Sequence, residues 1–178
     1  MSEEQGQQPV VPQLDEAQIG IALNEVRSEQ NLVLGVAAGA AAAVAGAILW
    51  ALVTYLTNLQ IGWMAVGIGF LVGFAIRSAG KGIDKTFGIA GAILALLGCG
   101  AGNLLAVCAW IANGQEMGYL EVLSRLDLQI VQELMVESFS PMDVLFYGIA
   151  VYEGYRLSFR ELTEAEVAAR ITGQTPAT

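Results

Sequence analysis

LVLGVAAGAAAAVAGAILWALVTYL, residues 32–56, contains no charged side chain. At about 1.5 Å of rise per residue, a helix of this length crosses a hydrocarbon layer of about 30 Å. Residues 61–76 and 87–111 are uncharged in the same way, with Asn103 the one strongly polar side chain in the second of them. A fourth stretch, 142–159, holds Asp143, Glu153 and Arg156 around a brief apolar centre from Val144 to Tyr152. Hydropathy alone leaves that stretch undecided.

The basic residues decide it. If 142–159 crosses, Arg27, Arg77, Lys81, Lys85, Arg156, Arg160 and Arg170 fall on one side of the layer and only Arg125 on the other. If it does not, the eight divide four to four. Lys and Arg in short flanking segments resist translocation, so the sequence predicts an all-α integral membrane protein with four transmembrane helices and both termini in the cytoplasm. Trp50, Trp63 and Trp110, with Tyr55 and Tyr119, are then expected near the outer interface, where amphipathic rings favour the headgroup level.

Around the membrane domain of residues 31–160 lie two cytoplasmic tails, 1–30 and 161–178. Ser2–Gln13 is rich in Gln, Glu and Pro and is expected to be mobile, whereas Ile19, Ala22, Leu23 and Val26 recur at helical spacing before the first span. Met1–Gln30 lacks the basic start and apolar core of a cleavable signal, leaving span one as the insertion signal. No lipidation motif is present. Short connections, Thr57–Gln60 and Arg77–Thr86, make the first three spans antiparallel neighbours. The second contains Gly80 and Gly82 as helix breakers and Asp84 as an expected N-cap. Residues 118–139 carry Tyr119, Val122, Leu123, Leu126, Ile130 and Leu134 at intervals of three and four, which predicts an extracytoplasmic amphipathic helix.

Several classes of chemistry find no support. The chain has no histidine, and Cys99 and Cys108 fall on nearly opposite faces of one helix, so neither a metal nor another cofactor is expected. No phosphate-binding loop or nucleophile elbow occurs outside the spans. A net charge of -9 argues against nucleic acid as a partner.

What remains are candidate contact residues. Small side chains recur in every one of the first three spans: Gly35, Gly39 and Gly46; Gly69 and Gly73; Gly88, Gly91, Gly98 and Gly102. Lipid supplies no hydrophobic drive between helices, so such stripes let backbones approach closely. They serve internal packing or, with more grooves than internal neighbours, a homo-oligomer interface or a place in a larger membrane complex. Arg77, Lys81 and Lys85 would align if span two continued as a helix and could then contact anionic lipid headgroups, though topology alone also accounts for them. Asn103 calls for an interhelical hydrogen bond. Glu153 and Arg156, three apart, are placed to pair near the inner interface, and with Asn103 they are the candidates for a polar membrane site.

The run Gln60-Ile61-Gly62-Trp63-Met64-Ala65-Val66-Gly67 with Phe70-Leu71-Val72-Gly73, followed by Gly80-Lys81-Gly82-Ile83-Asp84-Lys85, resembles a group of small multi-span bacterial inner-membrane proteins. Leu96-Leu97-Gly98-Cys99 with Gly102-Asn103, and Leu145-Phe146-Tyr147-Gly148 with Glu153-Gly154-Tyr155, extend the likeness over roughly residues 31–160. Several members of that group carry a soluble module ahead of the membrane part. The resemblance implies a bacterial inner (plasma) membrane location and a shared bundle, and transfers no catalytic or binding residue. The function expected from the sequence is a non-catalytic structural, scaffolding or accessory membrane protein. A small oligomeric channel or transporter, with Asn103 and Glu153 lining its path, is the competing expectation.

Overall fold

The computed structural model describes residues 16–172, and within them the chain is helix and turn with no strand. The tail expected at residues 2–13, and the chain end at Gly173 and Pro176, lie outside the described residues. Eight helices follow in order: α1 Glu16–Ser28, α2 Leu32–Thr57, α3 Trp63–Gly80, α4 Lys85–Gly114, α5 Tyr119–Ser124, α6 Leu128–Ser138, α7 Pro141–Leu157 and α8 Glu164–Thr172. α2, α3 and α4 are each long and apolar enough to cross a membrane. α7 has 17 residues, about 25 Å of rise, and meets α6 at an angle of 100°.

Residues 30–161 form one compact unit and the described residues before and after it form another. In the second unit α1 and α8 pack together, burying Ala22 and Val26, and Arg170 Nη1 lies 3.1 Å from Glu29 Oε1. That ion pair is half-exposed and contributes little stability.

Within residues 30–161, α3 and α4 touch each other and both α2 and α7, whereas α2 and α7 do not meet. The cross-section is a diamond with α3 and α4 on its short diagonal. Its basic end is tied by backbone hydrogen bonds: the Asn31 amide donates to the Gly80 carbonyl at 2.9 Å, and the Arg160 amide to the Gly82 carbonyl at 3.0 Å. The start of α2, the α3–α4 turn and the end of α7 therefore meet at one end, so α7 runs the return course of a fourth helix beside α3 and α4.

Glycines set how closely the four helices approach. A methyl group at Gly35 would lie 3.1 Å from Gly80 Cα; at Gly39 it would meet Ile76 Cγ1, at Gly46 Ile68 Cγ1, at Gly98 Ile68 and Ala43, and at Gly102 the Trp50 ring. These contacts join α2, α3 and α4. On the other side of the diamond, a methyl group at Gly69 would lie 2.7 Å from Ala150 Cα, at Gly73 2.7 Å from Leu157 Cβ, and at Gly88 against Tyr155 and Phe159. Gly91 and Gly154 face each other backbone to backbone, a methyl at Gly154 falling 2.8 Å from the Gly91 oxygen. Between the rungs Ile68, Val72, Ile76 and Trp50 fill the axis, each no more than 2% exposed.

Four local expectations change. The amphipathic stretch 118–139 is two helices, because the Asp127 carboxylate accepts from the Ile130 amide at 2.7 Å and starts α6 afresh. Trp50 is not at an interface but packed over Gly102 inside the bundle. Arg77, Lys81 and Lys85 do not share a helix face: α3 ends at Gly80, Lys81 turns left-handed at φ 50°, and Lys85 opens α4. Asp84 occupies the N-cap position of α4 without capping it through its side chain; its carboxylate instead accepts from Gln30 Nε2 at 3.0 Å, while Gln30 Oε1 accepts from the Ile83 amide.

Gly69→Ala is expected to lower the melting temperature of the purified protein by the overpacking cost of about 1–3 kcal/mol. Gly67→Ala, where nothing lies within 4 Å, should leave it unchanged. Circular dichroism in detergent reads both, and equal effects would show that contact with Ala150 does not govern stability.

Candidate functional site

Opposite the basic end the four helices stop at different heights. Cys99 Sγ sits 3.5 Å from the Ala65 oxygen and the Tyr147 hydroxyl donates to the Cys99 carbonyl at 3.2 Å, so α3 and α7 begin beside residues 99–103 of α4. α4 continues to Gly114. α2 keeps pace with it, and Asn113 Nδ2 donates to the Tyr55 carbonyl at 2.7 Å and to Asn58 Oδ1 at 3.1 Å. The two longer helices thus rise about 15 Å, some ten residues, above a shoulder formed by the ends of α3 and α7.

Asn103 is the floor of that shoulder. Only 3% exposed, it donates from Nδ2 to Ser138 Oγ at 3.2 Å and accepts at Oδ1 from Gln60 Nε2 at 3.4 Å. The expected interhelical bond thus runs to the last residue of α6 on one side and to the α2–α3 connection on the other. Above it lies a cavity of about 320 Å³ lined by Gln60, Val107, Trp110, Ile111, Leu134, Glu137 and Ser138. A shallower cavity of about 170 Å³ continues under α6 past Ile111 and Leu134 towards Arg125. No residue of α6 is buried, so this helix rests over α4 rather than sealing onto it.

The other side of α4 is closed differently. Cys108, Ala112 and Val122 form a small apolar cluster with α5 packed on the end of α4. Tyr119 donates its hydroxyl to the Leu105 carbonyl at 3.2 Å and meets Tyr55 edge to face, with ring centroids 6.2 Å apart. Burial pushes the Tyr119 phenol above its ordinary pKa, with the neighbouring Cys108 adding to the rise. Beside this pair an almost wholly apolar cavity of about 350 Å³ opens between Ile48, Leu52 and Tyr55 of α2, Leu105, and Leu123 of α5. Deeper in α2, Trp50 Nε1 and Thr54 Oγ1, one turn apart and buried, have no hydrogen-bond partner among the described residues.

The remaining sequence candidates lie elsewhere. Glu153 and Arg156 do not pair; Arg156 Nη1 donates to the Tyr152 hydroxyl at 2.9 Å and its guanidinium stands 6.0 Å from that ring's centroid. Arg156 and Tyr152, four apart, are neighbours along the helix surface. Asp143, near the other end of α7, accepts from the Ser140 amide at 2.7 Å and so serves the helix start. The nine glycines singled out are spread along internal contacts rather than gathered at one surface. Gln60, Ser138 and Glu137, which complete the cavity around Asn103, were not singled out; each looks like ordinary loop or helix-surface polarity until the fold brings it over Asn103.

Chemically, the shoulder offers an amide floor, a hydroxyl, one carboxylate and an indole wall. These are groups that can hydrogen-bond, carry charge and stack. Among the described residues no three His, Cys, Asp or Glu side chains converge as metal ligands would. No protein-family model, curated protein or solved structure matches this chain.

Asn103→Ala strips Gln60 and Ser138 of their shared partner and is expected to cost about 1 kcal/mol. Thr54→Val removes a buried hydroxyl that has no partner, so it should hold or raise the melting temperature. Thermal unfolding in detergent checks the pair; a stabilised Asn103→Ala or a clearly destabilised Thr54→Val would contradict these assignments.

Proposed function

We propose that this chain is a non-catalytic structural or accessory protein of a bacterial plasma membrane. In this reading four helices cross the bilayer, the basic end faces the cytoplasm and the shoulder faces outward. The observation that carries the proposal is the closed diamond of glycine rungs, whose axis is filled by Ile68, Val72, Ile76 and Trp50. A bundle packed to backbone contact holds a fixed shape in lipid and offers its ends and outer faces to other molecules. It provides no path through a single copy.

The charge distribution supports the orientation. Arg77, Lys81, Lys85, Arg156 and Arg160 gather at one end, where they also suit anionic headgroups at about 1 kcal/mol for each base near the surface. Between Asn113 and Asp143 stand Glu116, Glu121, Asp127, Glu133, Glu137 and Asp143 against Arg125 alone. The rigid body then acts by association, with itself or as a subunit of a larger membrane complex.

Two measurements test this. A membrane-impermeant maleimide applied to intact cells should label Gln129→Cys but not Lys81→Cys, and the reverse pattern would invert the orientation. Reconstituted into vesicles, the protein should leave ion flux at the protein-free level; flux that Glu153→Gln abolishes would reassign the chain to a channel.

A further inference from the structure

We infer that the shoulder cavity between α4 and α6 is a binding site for an organic ammonium group. The argument rests on which residues line one space of about 320 Å³: Glu137, a carboxylate, Trp110, an indole, Gln60, an amide, and Ser138, a hydroxyl. Glu137 makes no hydrogen bond or ion pair with any described residue, although Arg125 is available elsewhere on the same surface and pairs with Glu121 at 2.6 Å. Glu137 is itself exposed, so its charge is reachable from outside. Trp110 is 58% exposed and, among the described residues, stacks on no other ring.

A carboxylate beside an open indole is the recognition chemistry of an alkylated or primary ammonium: the ring attracts a cation held within about 6 Å of its centroid, and the carboxylate neutralises it. A metal ion fits less well, because the cavity offers one charged oxygen ligand and hard cations want several. An anion is disfavoured by Glu137 and by the acidic excess from Asn113 to Asp143. Val107, Ile111 and Leu134 supply the apolar remainder against which methyl or methylene groups can rest. Gln60 and Ser138 are held in place from below by the buried Asn103, so two hydrogen-bonding groups are fixed before any ligand arrives.

The same ammonium chemistry has two sources, a soluble amine or quaternary ammonium and the headgroup of an ethanolamine phospholipid. The soluble case is independent of the membrane orientation proposed above, whereas the lipid case rests on it. Full-length Trp63→Phe protein leaves Trp110 as the one exposed indole. In phosphatidylglycerol nanodiscs it is titrated with tetramethylammonium chloride against sodium chloride of equal ionic strength. In parallel, native mass spectrometry reads the lipids retained from an equimolar mixture of phosphatidylethanolamine and phosphatidylglycerol. A saturable shift of Trp110 emission specific to tetramethylammonium, weakened about tenfold or more by Glu137→Gln, supports the site with a soluble ligand. Preferential retention of phosphatidylethanolamine, lost in Glu137→Gln and in Trp110→Leu, supports it with a lipid ligand. Equal response to both salts together with equal retention of both lipids, or preferences that survive Glu137→Gln, would overturn it.

Discussion

Contact between bare backbones is the constraint on which this bundle depends. In lipid, apolar side chains gain nothing by leaving one hydrocarbon for another, so helices hold together only where dispersion contacts and weak Cα hydrogen bonds become dense. Gly91 against Gly154 and Gly69 against Ala150 bring α7 to that distance from α4 and α3; Gly35 against Gly80 does the same for α2 and α3. Along α4 the small residues change partner, Gly88, Gly91 and Ala95 serving α7 and Gly98 and Gly102 serving α2 and α3. That division lets one helix lie at close range to three neighbours without a gap at its centre.

The shoulder is a consequence of helix lengths combined with those rungs. With Ala150 registered on Gly69 and Gly154 on Gly91, α7 cannot slide, and its 17 residues run out beside Asn103 while α4 has eleven residues still to go. Ser140 and Asp143 fix the start of α7 at that height, and the 100° turn sends α6 sideways across α4. Polar groups collect there because the step must be closed by connections instead of spans. Asn103, which would be an isolated amide in hydrocarbon, finds its two partners only because the neighbouring helices stop at its level.

The sequence made the four helices and the common end of their basic flanks legible, since both depend on local composition and on where charges fall. The 25-residue uncharged run at Leu32 needed no partner to be read as a helix. Trp50 shows what was lost: its position near a span end suggested an interface, but whether an indole faces lipid or a neighbour depends on which side of α2 holds Gly102 of another helix. Similarly, Glu153 and Arg156 have the right spacing for a pair, yet Arg156 takes Tyr152, four residues back, as its partner. The Gln60, Asn103 and Ser138 cluster joins residues 35 and 43 positions apart, and no window of sequence contains that information.

The internal use of the glycines also bears on how copies or partners could meet. All nine that the sequence singled out are covered by helices of the same chain, and the outer faces of α2, α3 and α4 carry large side chains, among them Val44, Leu49, Leu52, Phe70, Phe74, Ile93 and Leu97, together with the small Ala37, Ala41 and Ala45 of α2. Close helix approach between molecules would use the small residues left open: Ala37, Ala41 and Ala45 recur every four positions on the exposed side of α2, whereas Gly67, Gly100 and Gly148 fall on three different helices. Away from that stripe, association between outer faces would resemble side-chain packing at ordinary helix spacing, weaker for each contact than the rungs inside. The ends differ: the shoulder and the basic turn carry directional polar groups on a rigid support. It is there that this architecture can discriminate among what it binds.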